Sequence, residues 1–75
     1  MKTYIMVVAK PGTSENVVKA IKDKVKEVIQ ADSVWGRYDA ILTIEAPTLE
    51  KITEIVYKIV ASHPEIVHTE TAIAL

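Results

Sequence analysis

Val34-Trp35-Gly36-Arg37-Tyr38-Asp39 lies between two apolar runs, Val28-Ile29-Gln30-Ala31-Asp32-Ser33-Val34-Trp35 and Ala40-Ile41-Leu42-Thr43-Ile44-Glu45, each too short for a helix. Both read as strands. A parallel return would need a crossover of about a dozen residues, and only a few join the two runs, so they pair as an antiparallel hairpin. Gly36 supplies the corner with access to positive φ. A Trp, an Arg, a Tyr and an Asp around one glycine exceed what a reversal requires. Two readings of the corner stand side by side: a small-molecule site, or aromatic residues capping the end of a core.

Upstream, Thr3-Tyr4-Ile5-Met6-Val7-Val8-Ala9 is apolar on both faces, with Tyr4, Met6 and Val8 on one and Ile5, Val7 and Ala9 on the other. Such a run reads as a strand buried on both sides. Lys10-Pro11-Gly12 breaks it, and Thr13 or Ser14 offers an N-cap oxygen to the next element. From Glu15 to Lys26, Val17, Val18, Ile21 and Val25 fall at helical spacing, while Lys19, Lys22, Asp23 and Lys26 fill the rest of the wheel. The interspersed acids mark a solvated face rather than a nucleic-acid surface.

Downstream, Pro47-Thr48 opens a second helix with Thr48 as cap. Leu49, Ile52, Ile55, Val56, Ile59 and Val60 form its wide apolar stripe. Glu54 and Lys58 stand four apart in the favourable order, worth about 0.2–0.5 kcal/mol. His63-Pro64 stops the helix. The closing strand runs from Ile66 to Leu75, and alternation puts Val67, Thr69, Thr71, Ile73 and Leu75 on one face and Ile66, His68, Glu70, Ala72 and Ala74 on the other.

The order is strand, helix, strand, strand, helix, strand, and Glu27-Val28-Ile29-Gln30 is echoed by Glu65-Ile66-Val67-His68 just past each helix. Two βαβ halves with right-handed crossovers give an α+β, ferredoxin-like βαββαβ fold: a single domain over residues 1–75, with a four-stranded antiparallel sheet and two helices on one face. The helices leave the other face open, and a second copy of the sheet is its simplest cover, giving a sheet-to-sheet dimer. Size points the same way. A chain of 75 residues without cysteine has no disulfide to reinforce its core, yet 49% of its residues are apolar, so association is the remaining route to further burial.

Composition narrows the function. Without cysteine there is no thiolate metal site, redox CxxC or cysteine nucleophile. Nine basic and ten acidic side chains are mixed along the chain for a net charge of −1, which argues against direct nucleic-acid or membrane binding. No segment approaches the ~20 apolar residues of a membrane span, and the first residues lack the features of a secretory signal, so a cytoplasmic location is expected. His63, His68 and Glu70 are the one metal-like set and lack a further ligand at usable spacing, so no metal or other cofactor is expected.

Lys10-Pro11-Gly12, Val28, Gly36-Arg37-Tyr38-Asp39, His63-Pro64-Glu65-Ile66-Val67 and Thr69-Glu70-Thr71-Ala72-Ile73 together resemble the C-terminal effector domain, or RAM domain, of the Lrp/AsnC (leucine-responsive, feast/famine) transcription regulators. The most specific pieces are the Gly-x-Tyr-Asp corner and the alternating threonines of the closing strand. The resemblance spans the whole sequence but not the helix-turn-helix of complete regulators, so it implies a stand-alone RAM protein. It further implies a non-enzymatic module of sheet-to-sheet dimers assembled into rings, commonly of four dimers, with a small effector, typically an amino acid, held between dimers. The ligand-binding residues it points to are Gly36, Arg37, Tyr38, Asp39, Thr69 and Thr71. Arg37 stands where the family often has an acid. Co-assembly with full-length regulators is a further partner it suggests.

The chemistry of those residues suits a free amino acid. Backbone N–H groups around Gly36, or Arg37, would take the carboxylate, and Asp39 the ammonium. Thr69 and Thr71 would add hydroxyls, while Trp35 or Tyr38 would wall the side chain. Other readings share the fold. A small dimeric monooxygenase or isomerase would use His68, Glu70 and Tyr4 as acid–base groups, and an ACT-like domain would also bind an amino acid but pair its sheets edge to edge. An RRM-type RNA binder needs aromatics on its central strands, and here the strand from Ala40 to Ile44 is aliphatic.

Overall fold

Pairing on both edges of the first strand organises the sheet. The computed structural model describes residues 1–75, with β1 (Lys2–Ala9), α1 (Ser14–Lys24), β2 (Val28–Ser33), β3 (Ala40–Glu45), α2 (Leu49–Ala61) and β4 (Ile66–Ile73). The strands form one antiparallel sheet in the order β2-β3-β1-β4. This is the ferredoxin-like arrangement read from the sequence. Being central explains why β1 is apolar on both faces. Ile5 and Val7 lie fully buried with Val17 and Ile21 of α1, Leu42 and Ile44 of β3, and Ile55 and Ile59 of α2. On the opposite face Tyr4 is exposed and Met6 and Val8 only half-buried, since no helix covers them.

The sequence echo past each helix is an echo in structure. Val28 N–H donates to Val25 C=O and Ile66 N–H to His63 C=O, the same turn at the same place in each half. Each strand then slips register by one residue: Val28 pairs with Ile44 and Gln30 with Thr43, while Ile66 pairs with Ala9 and His68 with Val8. Ile29 and Val67 are the extra residues, 65% and 62% exposed. A bulge puts two successive residues opposite one and interrupts the side-chain alternation. Ile66 therefore packs against the helix-side core, as Val28 does in the other half, and simple alternation had put it on the other face. The strands are also shorter than read: β2 stops at Ser33 rather than Trp35, and β4 at Ile73 rather than Leu75.

Helix ends divide the same way between expected and displaced contacts. Thr48 caps α2 as read, its hydroxyl accepting from Lys51 N–H at 3.1 Å. At α1 Thr13 holds the cap position, but its hydroxyl donates to Lys10 C=O at 2.6 Å, bracing the Pro11-Gly12 turn, and Ser14 Oγ meets Ser33 Oγ at 3.0 Å. Neither caps the helix. Helix α1 ends at Lys24 rather than Lys26 because Val25 turns extended while staying buried. Lys24 Nζ instead reaches the Ser62 carbonyl at 3.0 Å, satisfying the last turn of α2. The predicted Glu54–Lys58 pair does not form. Lys58 bonds Glu27 Oε2 at 2.8 Å, and Glu54 takes Lys51 at 3.4 Å. Glu27 sits in the α1–β2 turn, and the bond from Lys58, with its own backbone N–H, holds its carboxyl below the usual range.

Truncating Leu42 to Ala should cost about 2–5 kcal/mol in urea denaturation, as expected for a fully buried residue with helices above it. Thr48→Ala should cost about 1 kcal/mol through the lost cap. Glu54→Gln should stay within about 0.5 kcal/mol, because its pair is exposed.

Candidate functional site

The glycine corner is a loop from Val34 to Asp39, closed by Val34 N–H donating to Asp39 C=O at 3.0 Å. Gly36 adopts φ +148°, which L side chains rarely adopt, and a Cβ there would meet nothing within 4 Å. The requirement is torsional, not spatial. Asp39 pins the loop to the end of β1: its N–H donates to Val7 C=O at 2.9 Å, and its Oδ2 accepts from Ala9 N–H at 2.8 Å. The acid read as an ammonium acceptor thus has one oxygen engaged by the fold, and it holds β1 rather than the hairpin's own backbone. The backbone N–H groups of Trp35, Gly36, Arg37 and Tyr38 bond to no carbonyl of the chain's backbone.

The two aromatics do not cap the core. Trp35 is fully exposed. Tyr38 crosses the uncovered face of β1 to β4, its O–H donating to Glu70 Oε1 at 2.9 Å, while Arg37 lies 5.9 Å from its ring centroid. Glu70 Oε2 in turn stands 3.2 Å from His68 Nε2. The hydroxyl of Tyr38, then His68, holds the Glu70 carboxyl below its ordinary range, and the same bond raises the Tyr38 phenol above 10.0. Glu70 pairs across the ladder with Met6 and Ala72 with Tyr4, so Tyr38 rather than Tyr4 completes this polar chain.

Thr69 and Thr71 lie elsewhere. They pair with Val7 and Ile5 and share their helix-side face, and Thr71 helps line an apolar groove of about 350 Å³ with Leu49, Ile52, Thr53, Val56, Tyr57 and Ile73. Within one chain the corner bonds Glu70, which in turn meets His68, and forms no hydrogen bond to the threonines. The groove and the Tyr38–Glu70 bond were not found from the sequence, since their members are far apart in the chain. The available signal for Glu70 was an acid beside His68 on a strand face otherwise made of Ile66, Ala72 and Ala74. His63 Nδ1 accepts from Glu65 N–H at 3.1 Å, and no three His, Asp or Glu side chains converge as metal ligands.

The Tyr38–Glu70 bond sets a pH window. Glu70, with its lowered folded value, adds stability above 4.5 that is lost as pH falls through that value. Tyr38, with its raised one, adds stability below 10.0 that is lost as pH rises through it. The stability difference between wild type and Tyr38→Phe should therefore be greatest between these limits and shrink on both sides, as measured by denaturation across pH.

Comparison with known proteins places the chain in a family. The Lrp/AsnC ligand binding domain matches residues 2–75. No curated protein matches the chain. Among solved structures, hypothetical protein PHS023 from Pyrococcus horikoshii is 30% identical with a TM-score of 0.84, covering 99% of this chain and 88% of its own. FFRP-DM1 is likewise 30% identical at a TM-score of 0.84, over 99% of this chain and 97% of its own. The transcriptional regulator NMB0573 from Neisseria meningitidis, solved as an L-Met complex, shares the fold at a TM-score of 0.80 and 19% identity, and this chain spans 49% of it. With a match that runs from residue 2 to residue 75, the chain belongs to the Lrp/AsnC ligand-binding domain family.

Proposed function

We propose that the chain is a non-enzymatic sensing module that binds a free amino acid where copies of it meet, and that binding favours one state of association. The observation that carries this is the corner, on a chain of this family: four successive backbone N–H groups without a backbone acceptor, around Gly36 at positive φ, with a guanidinium on the same loop, that of Arg37 over the Tyr38 ring. Successive free N–H groups and a guanidinium form a receptor for a carboxylate. The relative solved as an L-Met complex makes L-Met the first ligand to test.

The position of the threonines supports a site shared between copies. In one chain Thr69 and Thr71 lie on the helix-side face while Tyr38 is drawn across the other face to Glu70, so a ligand touching both groups would draw on two chains. Sheet-to-sheet dimers would cover Tyr4, Met6 and Val8, and a ring of about four dimers would bring corners to neighbouring edges. A ligand bound at such a contact stabilises the assembly by its own binding free energy, about 2.7 kcal/mol at a hundredfold excess over Kd. These residues hold two helices separated by a strand pair, with no recognition helix and no basic face, so influence on DNA would pass through co-assembled full-length regulators.

Calorimetry of the wild-type chain against each of the twenty amino acids, read beside native mass, tests this. Binding of one of them, with a shift in the mass distribution and a loss of affinity in Arg37→Ala, is the expected result. Absence of binding by all twenty removes the amino-acid reading.

A further inference from the structure

Tyr38, Glu70 and His68 stand in line on the uncovered sheet face, and Arg37 lies over the first of them. The phenol donates to one oxygen of Glu70 at 2.9 Å, His68 Nε2 is 3.2 Å from the other, and the guanidinium is 5.9 Å from the Tyr38 ring centroid. Arg37 forms no ion pair. What attracts it to this place is the π face and, beyond the ring, the charge of Glu70, whose carboxyl is held low by the Tyr38 bond, then by His68, and last by the Arg37 charge. Two cations thus address one carboxylate, and only one of them is permanent. A guanidinium is always charged, whereas imidazole is the side chain whose charge changes between about pH 5 and 8. The other charges around this face have partners of their own: Lys10 pairs with Glu65 at 3.3 Å, Lys2 lies over the Tyr4 ring at 5.5 Å, and Asp39 Oδ2 accepts from Ala9 N–H. Val8 and Met6, opposite His68 and Glu70 on β1, carry no charge.

We propose that His68 is a proton switch for Arg37: on protonation His68 takes over Glu70, and the guanidinium leaves the Tyr38 ring. With His68 neutral, the charge of Glu70 is offset only from a distance, and it keeps Arg37 close. An imidazolium at 3.2 Å offsets that charge through a charge-assisted bond and repels the second cation. A Glu70 so neutralised also polarises the phenol less, which weakens the hold of the ring face on the guanidinium. Acidification therefore frees the one cation of the corner while Tyr38 stays tethered. The switch deepens the function proposed above and rests on Arg37 as a receptor for a carboxylate: effector and proton would bind together, each raising the affinity for the other.

Arg37 is the sole arginine, so its δ-methylene protons in an NMR spectrum report on this side chain alone. Protons above an aromatic face are shifted upfield. When the full chain, without effector, is titrated from about pH 8.5 to 5, these signals should move downfield in one step together with the His68 ring protons. The stacked population should fall roughly two- to fivefold, the size of an exposed charge pair. His68→Gln should abolish the step and leave the signals at their high-pH position, and Glu70→Gln should hold them at the low-pH position throughout. The two side chains are 57% and 42% exposed, so neither change removes core packing. Arg37 signals indifferent to pH overturn the proposal, as does a step that survives in His68→Gln or an upfield position retained in Glu70→Gln. No effector enters this titration, so the two readings fail separately: a working switch on a chain that binds none of the twenty amino acids removes the receptor, and amino-acid binding with a pH-independent Arg37 removes the switch.

Discussion

β1 pairs on both edges and is apolar on both faces, and the other elements are placed by the need to satisfy it. Its helix-side residues Ile5 and Val7 are buried by α1 and α2, which is what fixes the crossovers to one side. Its other face receives no helix. Tyr38 is laid across that face to bond Glu70 of β4, a polar chain across an apolar strand. A polar contact half open to water adds little to stability. What it does is fix where the end of the corner lies, and Asp39 does the same from the backbone side through Val7 and Ala9.

The pseudo-symmetry of the two halves solves a local problem twice. After each helix the chain must return to the sheet with an apolar residue facing the core, and in both halves a tight turn followed by a one-residue bulge achieves this, placing Val28 and Ile66 inward and leaving Ile29 and Val67 outside. On the second half the bulge also sets the face of everything after it. His68 and Glu70 lie on the uncovered face with Tyr38, and Thr69 and Thr71 lie with α2. The division between a polar chain on one side and a hydroxyl-rimmed groove on the other thus traces to a single inserted residue at Val67.

Recognition in this architecture is distributed. The corner presents unpaired donors and a cation but has no enclosing wall of its own, since Trp35 is fully exposed and Tyr38 is drawn away across the sheet to Glu70. The groove has walls but few polar groups. In the proposed function a second chain would bring the two together, and ligand affinity would then be a property of the assembly rather than of the protomer.

Helix and strand order, the hairpin at Gly36, the cap at Thr48 and the central apolar strand were legible in the sequence because each depends on periodicity or on neighbours a few residues apart. Even the bulges left a trace, as the repeated Glu-Val-Ile and Glu-Ile-Val past each helix. Contacts spanning the chain left none. That Lys58 chooses Glu27 over Glu54, that Thr13 braces a turn instead of capping a helix, and that Tyr38 finds Glu70 are outcomes of competition among several partners of similar local merit, decided by which the folded backbone brings within 3 Å. The sequence by itself determined the fold and which residue types crowd its corner. Only the tertiary structure decided which face and which edge each of them occupies, because one extra residue in a strand reverses the direction of a side chain without altering the composition that announces it.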